Sequence, residues 1–306
     1  MLHVSGPELV VAACRAGVVG SFPTLNASVE SSLDNWLQQI EQGLADSPRE
    51  PAPCCPNLIM HRDPEVLRAE VRTLIEHRVE MVITSVGSPA PVVQPLRDSG
   101  CLVLADVATL EHARKAAATG VDGLVLLSAG AGGQTGWLNG LAFVRAVRAF
   151  FAGPVVLAGG VCDGPSLLAA QALGCDLAYM GTRFIATNES RASDAYKQML
   201  VTSTADDILL TKALTGIPAS LLKPSLRAAG LDPERLDEDI TPERARELFS
   251  QARGGLPPSR ARWKDVWSAG HSVSSISAIQ SAANVVAEVE EGWLAARAAL
   301  QATHVA

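Results

Sequence analysis

Glycine ends two consecutive apolar runs between Val155 and Phe184, and that spacing suits a phosphate cradle. The segment reads VVLAGGVCDGPSLLAAQALGCDLAYMGTRF. Val155–Ala158 is a short apolar, β-branched run of the kind found in buried parallel strands. Gly159-Gly160 breaks it. Asp163 is a good helix N-cap, with Pro165 in the first turn and Leu167, Leu168, Gln171 and Ala172 at helical spacing. Gly174 ends that helix, Leu177–Met180 reads as the next strand, and Gly181-Thr182 follows it. Two strands thus end in glycine loops at one edge of a sheet. In a (β/α)8 barrel the loops after the last two strands are the usual phosphate site. A residue without Cβ lets backbone N–H groups approach phosphate oxygens. The alternative is that these glycines only make tight turns.

A second loop stands out at Ser128–Gly136, SAGAGGQTG. Gly130, Gly132 and Gly133 are three glycines in four positions, which neither helix nor strand packing explains. Other residues that could do chemistry have simpler readings. His61, His77 and His112 fall on or beside helices, as surface or cap residues. Trp263 and Trp267 are spaced as packing anchors, and Lys212 and Lys223 as solvated lysines. The six cysteines (Cys14, Cys54, Cys55, Cys101, Cys162, Cys175) show no paired metal-ligand spacing. Free thiols in a reducing compartment, with no metal site, are expected.

The elements around these residues follow a βα rhythm. Gly6–Ala16 reads as a helix, Val18–Gly20 as a short strand, Val29–Leu44 as an amphipathic helix, and Ala45–Pro56 as a proline-rich loop. Strands at Asn57–Met60, Met81–Val86, Cys101–Ala105 and Gly123–Leu127 alternate with helices at Asp63–Ile75, Pro89–Ser99, Thr109–Thr119 and Leu141–Phe150. That alternation predicts a parallel sheet with crossover helices. After Phe184 the rhythm stops. Ser190 to Arg262 reads as a helical insertion punctuated by Pro218, Pro224, Pro233, Pro242, Pro257 and Pro258. Ser272–His304 reads as one long Ala/Val-rich helix returning to the barrel.

Composition fits this class. The chain has 306 residues, 48% of them apolar and only 4% aromatic, which suits close helix-on-sheet packing. A net charge of −7 argues against nucleic-acid or anionic-membrane partners. No apolar run approaches a membrane span, and the first residues lack the features of a signal peptide, so a cytoplasmic location is expected.

A closed barrel needs eight strands, and only seven are visible, starting at Val18, Asn57, Met81, Cys101, Gly123, Val155 and Leu177. The fold expected is therefore an α/β, TIM-type (β/α)8 barrel lacking most of its first strand. Its parts are a cofactor barrel over residues 1–189, a helical domain over the mouth at 190–262, and a return segment at 263–306.

The chain resembles the nitronate monooxygenase (2-nitropropane dioxygenase) family of FMN-dependent oxidoreductases. The carrying segments are SGPELV at Ser5–Val10, VVGSFPTLNA at Val18–Ala27, ITSVGSP at Ile83–Pro89, SAGAGGQTG at Ser128–Gly136, LAGGVCDG at Leu157–Gly164 and YMGTRFIAT at Tyr179–Thr187. Asp206–Leu226 and Trp263–His271 extend the match. The resemblance implies FMN across the C-terminal strand ends. It also implies a first strand ending in Ala-Pro-Met just before Val4, with Met1 in the place of that methionine.

Carried over by position, the resemblance puts the FMN phosphate on Gly159, Gly160, Gly181 and Thr182. Asn57 would reach the flavin imide edge or simply be a turn residue. Thr84 would line the pocket with Ser85 and Gly87. Asp106 would stand where some relatives place a lysine, or cap the helix after it. The loop Ala129, Gly130, Gly132 and Gly133 would lie under the ring. Two departures bear on chemistry. Gln134 stands where many relatives carry a histidine, and an amide cannot take up a proton. His271 stands where the family commonly shows glutamine, and is either a catalytic partner to Gln134 or a solvent-exposed residue.

Three functions follow. The first is oxidation of alkyl nitronates with O2. The second is reduction of a quinone or an enone such as an enoyl thioester with NAD(P)H, which would bind transiently because no GxGxxG unit is present. The third is a catalytically inactive ligand-binding barrel. Oligomeric state is left open, with a homodimer among the options.

Overall fold

Each apolar run forms a strand because the capped helix after it folds back over the same sheet. A computed structural model describes residues 1–30, 32–214, 216–239, 241 and 266–302. The strands are β1 (Gly20–Pro23), β2 (Cys54–Ile59), β3 (Met81–Ser85), β4 (Leu102–Val107), β5 (Gly123–Leu127), β6 (Gly133–Gln134), β7 (Val155–Ala158), β8 (Leu177–Tyr179), β9 (Ile208–Thr211) and β10 (Ala219–Leu222). Seven of them make one sheet in the order β1-β2-β3-β4-β5-β7-β8, with every pairing parallel. This is the curled sheet of an α/β TIM-type barrel. Its edge strands are β1 and β8, and Tyr179 Oη donates to Ser21 Oγ across them at 3.2 Å.

The crossover helices are α1 (Pro7–Arg15), α2 (Thr24–Glu30), α3 (Leu33–Ala45), α4 (Pro64–Glu76), α5 (Ala90–Asp98), α6 (Leu110–Ala118), α7 (Gly140–Arg148) and α8 (Gly164–Leu173). Their starts are set by side chains that accept orphan N–H groups: Asp63 from Glu65, Thr109 from His112, Asn139 from Leu141, and Asp163 from Ser166 in a capping box. Two apolar layers result. Phe22, Leu58, Val82, Val103, Leu124 and Phe143 pack between sheet and helices. Cys55, Ile83, Leu104, Val125, Val156 and Ala158 fill the concave side, with Tyr179 against them.

Several expectations shift. The helix expected over Val29–Leu44 is two, α2 and α3, with Ser32 capping the second by accepting from Asn35. The strand expected at Val18 begins at Gly20. The segment after Ser190 is not purely helical. It carries α10 (Asp194–Thr202) and α11 (Lys223–Ala228) after the short α9 (Thr182–Ile185), but also β9 and β10. These two pair antiparallel, and β10 also pairs with β6. The long helix expected from Ser272 begins at Ala282, as α12 (Ala282–Ala302), after a 3-10 turn at His271–Ser275. Serines at 272, 274, 275 and 277 compete for backbone hydrogen bonds and hold the approach non-helical. Pro242, Pro257, Pro258, Trp263 and His304 lie outside the described residues.

The helix α12 docks on α8 at a glycine crossing. A Cβ on Gly164 would lie 1.9 Å from the Trp293 nitrogen, so no larger residue fits. Trp293 Nε1 donates to Gln171 Oε1 at 2.7 Å beside the crossing. No helix among the described residues is long and apolar enough to cross a membrane.

Candidate active site

Side chains alternate across a strand, and that period sorts the strand ends. On β3, the Thr84 hydroxyl is fully buried and donates to the Leu104 carbonyl of β4 at 3.1 Å. Its neighbour Ser85 turns to the concave side and donates to Asn57 Oδ1 at 2.6 Å. Asp106, at the end of β4, faces the same interior. Its Oδ1 is sequestered from solvent and has no hydrogen-bond partner. Burial pushes its carboxyl up to about 7, against a hydrogen bond from Asn57 and the charge of the Met1 α-ammonium. Tyr179 on β8 is held above the ordinary phenol range by burial and by Asp106. Asn57, Ser85, Asp106 and Tyr179 thus form one polar layer at the C-terminal ends of the strands. Just beyond β3, Val86 has φ 55, and a β-branched residue in the left-handed region is strained.

Above that layer, three glycine loops meet one returning segment. The loop after β5 touches it twice: the His271 N–H donates to the Gly130 carbonyl at 2.9 Å, and a Cβ on Gly270 would lie 2.4 Å from that same oxygen. The His271 imidazole packs on Gly130, where an added Cβ would come within 2.8 Å of Nδ1. The loop after β8 touches it through Thr182, whose Oγ1 accepts from the Gly270 N–H at 2.9 Å. The loop after β7 touches it through Cys162, whose Sγ is 3.0 Å from Ser275 Oγ. Arg183 Nη1 adds a bond to the Ser275 carbonyl at 2.6 Å. The segment is anchored behind by Trp267, stacked on Tyr196 at 4.9 Å, and by Tyr196 Oη, which bonds both the carbonyl and the N–H of Ser268.

The expected site residues do not share one place. Gly130, Gly132, Thr182 and His271 meet at the returning segment, while Gly159 and Gly160 lie in the loop after β7 and Gly181 in the loop after β8. Gly133 and Gln134 lie on β6, with Gln134 exposed and paired in register with Ala219. Asn57 and Asp106 lie in the polar layer, where Asn57 is already engaged by Ser85. Thr84 is turned away from it. Ala129 is exposed, and its N–H donates to the Leu138 carbonyl at 2.7 Å. Gly159 has a packing reason of its own: at φ 110, a Cβ there would meet Ser128 Oγ at 2.7 Å and the Ala131 nitrogen at 2.9 Å. Tyr179, Ser21 and Gly270 were not singled out from the sequence as site residues. Their signals are a polar tip in an apolar strand and a glycine beside His271. Lys223 Nζ donates to the Asp206 carbonyl at 2.9 Å.

The profile of the family described as nitronate monooxygenase matches residues 55–292. The chain belongs to the nitronate monooxygenase family. Members of this enzyme family are oxidoreductases, and individual relatives agree with the match. A nitronate monooxygenase of Pseudomonas aeruginosa is 32% identical over 259 residues, covering 71% of this chain and 73% of that one. A (3aS,4S,5R,7aS)-5-hydroxy-7a-methyl-1-oxo-octahydro-1H-indene-4-carboxyl-CoA dehydrogenase of Mycobacterium tuberculosis is 29% identical over 228 residues, covering 73% of this chain and 61% of that protein. Among solved structures, FabK from Thermotoga maritima superposes with a TM-score of 0.80 at 25% identity, over 99% of this chain and 93% of that one. The chain spans 64% and 61% of the length of two curated relatives from Mycobacterium tuberculosis.

Proposed function

We propose that this family member binds FMN over the C-terminal strand ends and oxidises alkyl nitronates with O2. The observation that carries the reading is the open side of the gathered loops. There the amides of Gly160, Val161 and Gly181 make no hydrogen bond among the described residues. The Thr182 hydroxyl accepts from Gly270 and keeps its own proton to give. A Cβ at Gly160 meets nothing within 4 Å, and one at Gly181 meets only the Met1 side chain, 3.7 Å away. Several donors with free space before them fit a phosphate group.

Bound FMN supplies two-electron redox chemistry and reaction with O2. The chain's own residues do the rest. Gly160, Gly181 and Thr182 hold the phosphate. Gly133, where an added Cβ would meet nothing within 4 Å, would offer a flat ring a surface without a side chain. Gln134 donates an amide N–H to a substrate oxygen but cannot remove a proton. The substrate must then arrive already as an anion, which favours nitronates over neutral nitroalkanes. His271, exposed against Gly130, is the alternative: were it the base in place of Gln134, neutral nitroalkanes would be turned over as well. We assign residues 1–189 to the cofactor barrel, 190–262 to the cover over its mouth and 263–306 to the return.

A second reading has its own support. A Gln134 amide can bond a carbonyl or quinone oxygen as well as a nitro oxygen, and one relative is a CoA-thioester dehydrogenase. An NAD(P)H-dependent reductase acting on a quinone or an enoyl thioester is therefore the alternative. Anaerobic mixing of the FMN-loaded protein with propyl-2-nitronate, and separately with NADPH, separates them. Flavin bleaching by the nitronate alone is expected, and bleaching by NADPH alone selects the reductase. A protein that binds no FMN returns the chain to a ligand-binding barrel without chemistry.

A further inference from the structure

We infer that Val86 is a specificity residue of the proposed site: a strained turn carries its isopropyl group out of the core to meet the alkyl part of the nitronate. The inference rests on the nitronate reading above and names the residue that selects for an alkyl group.

The period of β3 shows what Val86 would otherwise do. Side chains alternate along a strand. Ile83 and Ser85 turn to the concave side, whereas Val82 and Thr84 turn outwards and are 0% and 1% exposed. Continued by one more step, that period would bury Val86 beneath the helices with Val82. Instead its φ is 55, a region that β-branched residues avoid. Its side chain is 38% exposed and joins none of the apolar clusters among the described residues.

The turn is held from both sides. Before it, the Ser85 carbonyl accepts from the Met60 N–H at 2.8 Å, and the Ser85 hydroxyl donates to Asn57. After it, Gly87 lies so close to Met60 that an added Cβ would come within 2.8 Å of the Met60 Cβ. Pro89, buried, then opens α5. A glycine at position 86 would adopt this φ freely. The chain keeps a side chain that adds strain and forgoes burial, and strain of this kind collects at ligand sites. The place fits such a site. Val86, Gly87 and Ser88 are all exposed at the C-terminal end of β3, and Val86 directly follows Ser85 of the polar layer. A nitronate is an anion with an apolar group attached. A branched hydrocarbon offers nothing to the anion and suits the alkyl group.

The test uses the full FMN-loaded chain, with methyl nitronate and propyl-2-nitronate as paired substrates. The wild type should favour propyl-2-nitronate. In Val86→Gly the ratio of kcat/KM for propyl-2-nitronate to that for methyl nitronate should fall about tenfold. The same variant should melt about 2–4 °C higher, because the strained turn relaxes. Val86→Ala keeps a Cβ at the turn, so it should lower the ratio with a smaller thermal gain. FMN affinity should match the wild type in both. A ratio unchanged in both variants, including an equal loss of rate on both nitronates, overturns the inference and leaves the nitronate reading standing. Failure of the wild type to turn over either nitronate overturns that reading, and this inference with it.

Discussion

The main-chain N–H of His271 donates to the carbonyl of Gly130, and the imidazole of His271 lies against that same glycine. The residue is thus fixed by its backbone, while its exposed ring keeps access to the rim beside β6. Removing the ring leaves the backbone bond intact. His271→Ala should therefore keep the fold and flavin affinity, yet lower turnover. Unchanged rates would relegate it to the surface.

Gln134 is exposed on a two-residue strand whose partner, Ala219, fixes its backbone. Gln134→His replaces an amide by a base at a held position. Turnover of neutral nitroalkanes should rise by about 10²–10⁴-fold, the usual contribution of a positioned base. No gain there would turn the reading towards the reductase.

Gly181 and Gly159 should respond differently. Gly181→Ala has room and should bind FMN nearly as the wild type does, whereas Gly181→Asp sets a carboxylate against the phosphate and should abolish binding without unfolding. Gly159→Ala forces a Cβ into Ser128 and Ala131 at a left-handed backbone position. It should cost about 1–3 kcal/mol of stability, read by denaturant melts on the cofactor-free protein.

The Tyr196 hydroxyl serves both the carbonyl and the N–H of Ser268. Tyr196→Phe keeps the stack on Trp267 and loses both bonds, leaving the Ser268 groups unpaired. A loss of about 1–3 kcal/mol is expected. Flavin affinity should fall as well, because the same segment carries Gly270 and His271.

His77 joins two helices, with Nδ1 at 2.7 Å from Glu41 and Nε2 at 2.8 Å from Asp34. Burial pulls its pKa down, but the two carboxylates outweigh that, and the net shift is upward. A pKa raised on folding gives stability that is full below the unfolded value of about 6.5 and is lost as pH rises through the folded value. Melting temperature should decline across that window in the wild type and less so in His77→Gln. Identical pH dependence in the two would dismiss the clamp.

The strands were legible because apolar runs ended by glycine leave little else to form, and the capping residues Asp63, Thr109 and Asp163 marked the helices. The direction of single side chains was not legible. Strands covered on both faces are apolar throughout, so nothing in ITS at Ile83–Ser85 tells Thr84, which points out, from Ser85, which points in. β9 and β10 were missed because ILLT and ASLL are short and carry no polar alternation. The gathering of the loops was hidden for another reason. The Thr182–Gly270 bond joins residues 88 positions apart, beyond the reach of local pattern. His271 could be placed beside Gly130 only by the fold.

The glycine crossing of α8 and α12 also sets an order of events during synthesis. The loop after β7 is backed by Ser275, which bonds Cys162 from 113 positions away, and α8 is backed by Trp293, which reaches Gln171 from 122 positions away. A ribosome adding about 5–20 residues per second needs on the order of 10 s to make that stretch. The sheet can therefore be complete while the loop after β7 still lacks its support. Under the proposed reading, the nascent barrel waits for α12 before its cofactor loops are backed.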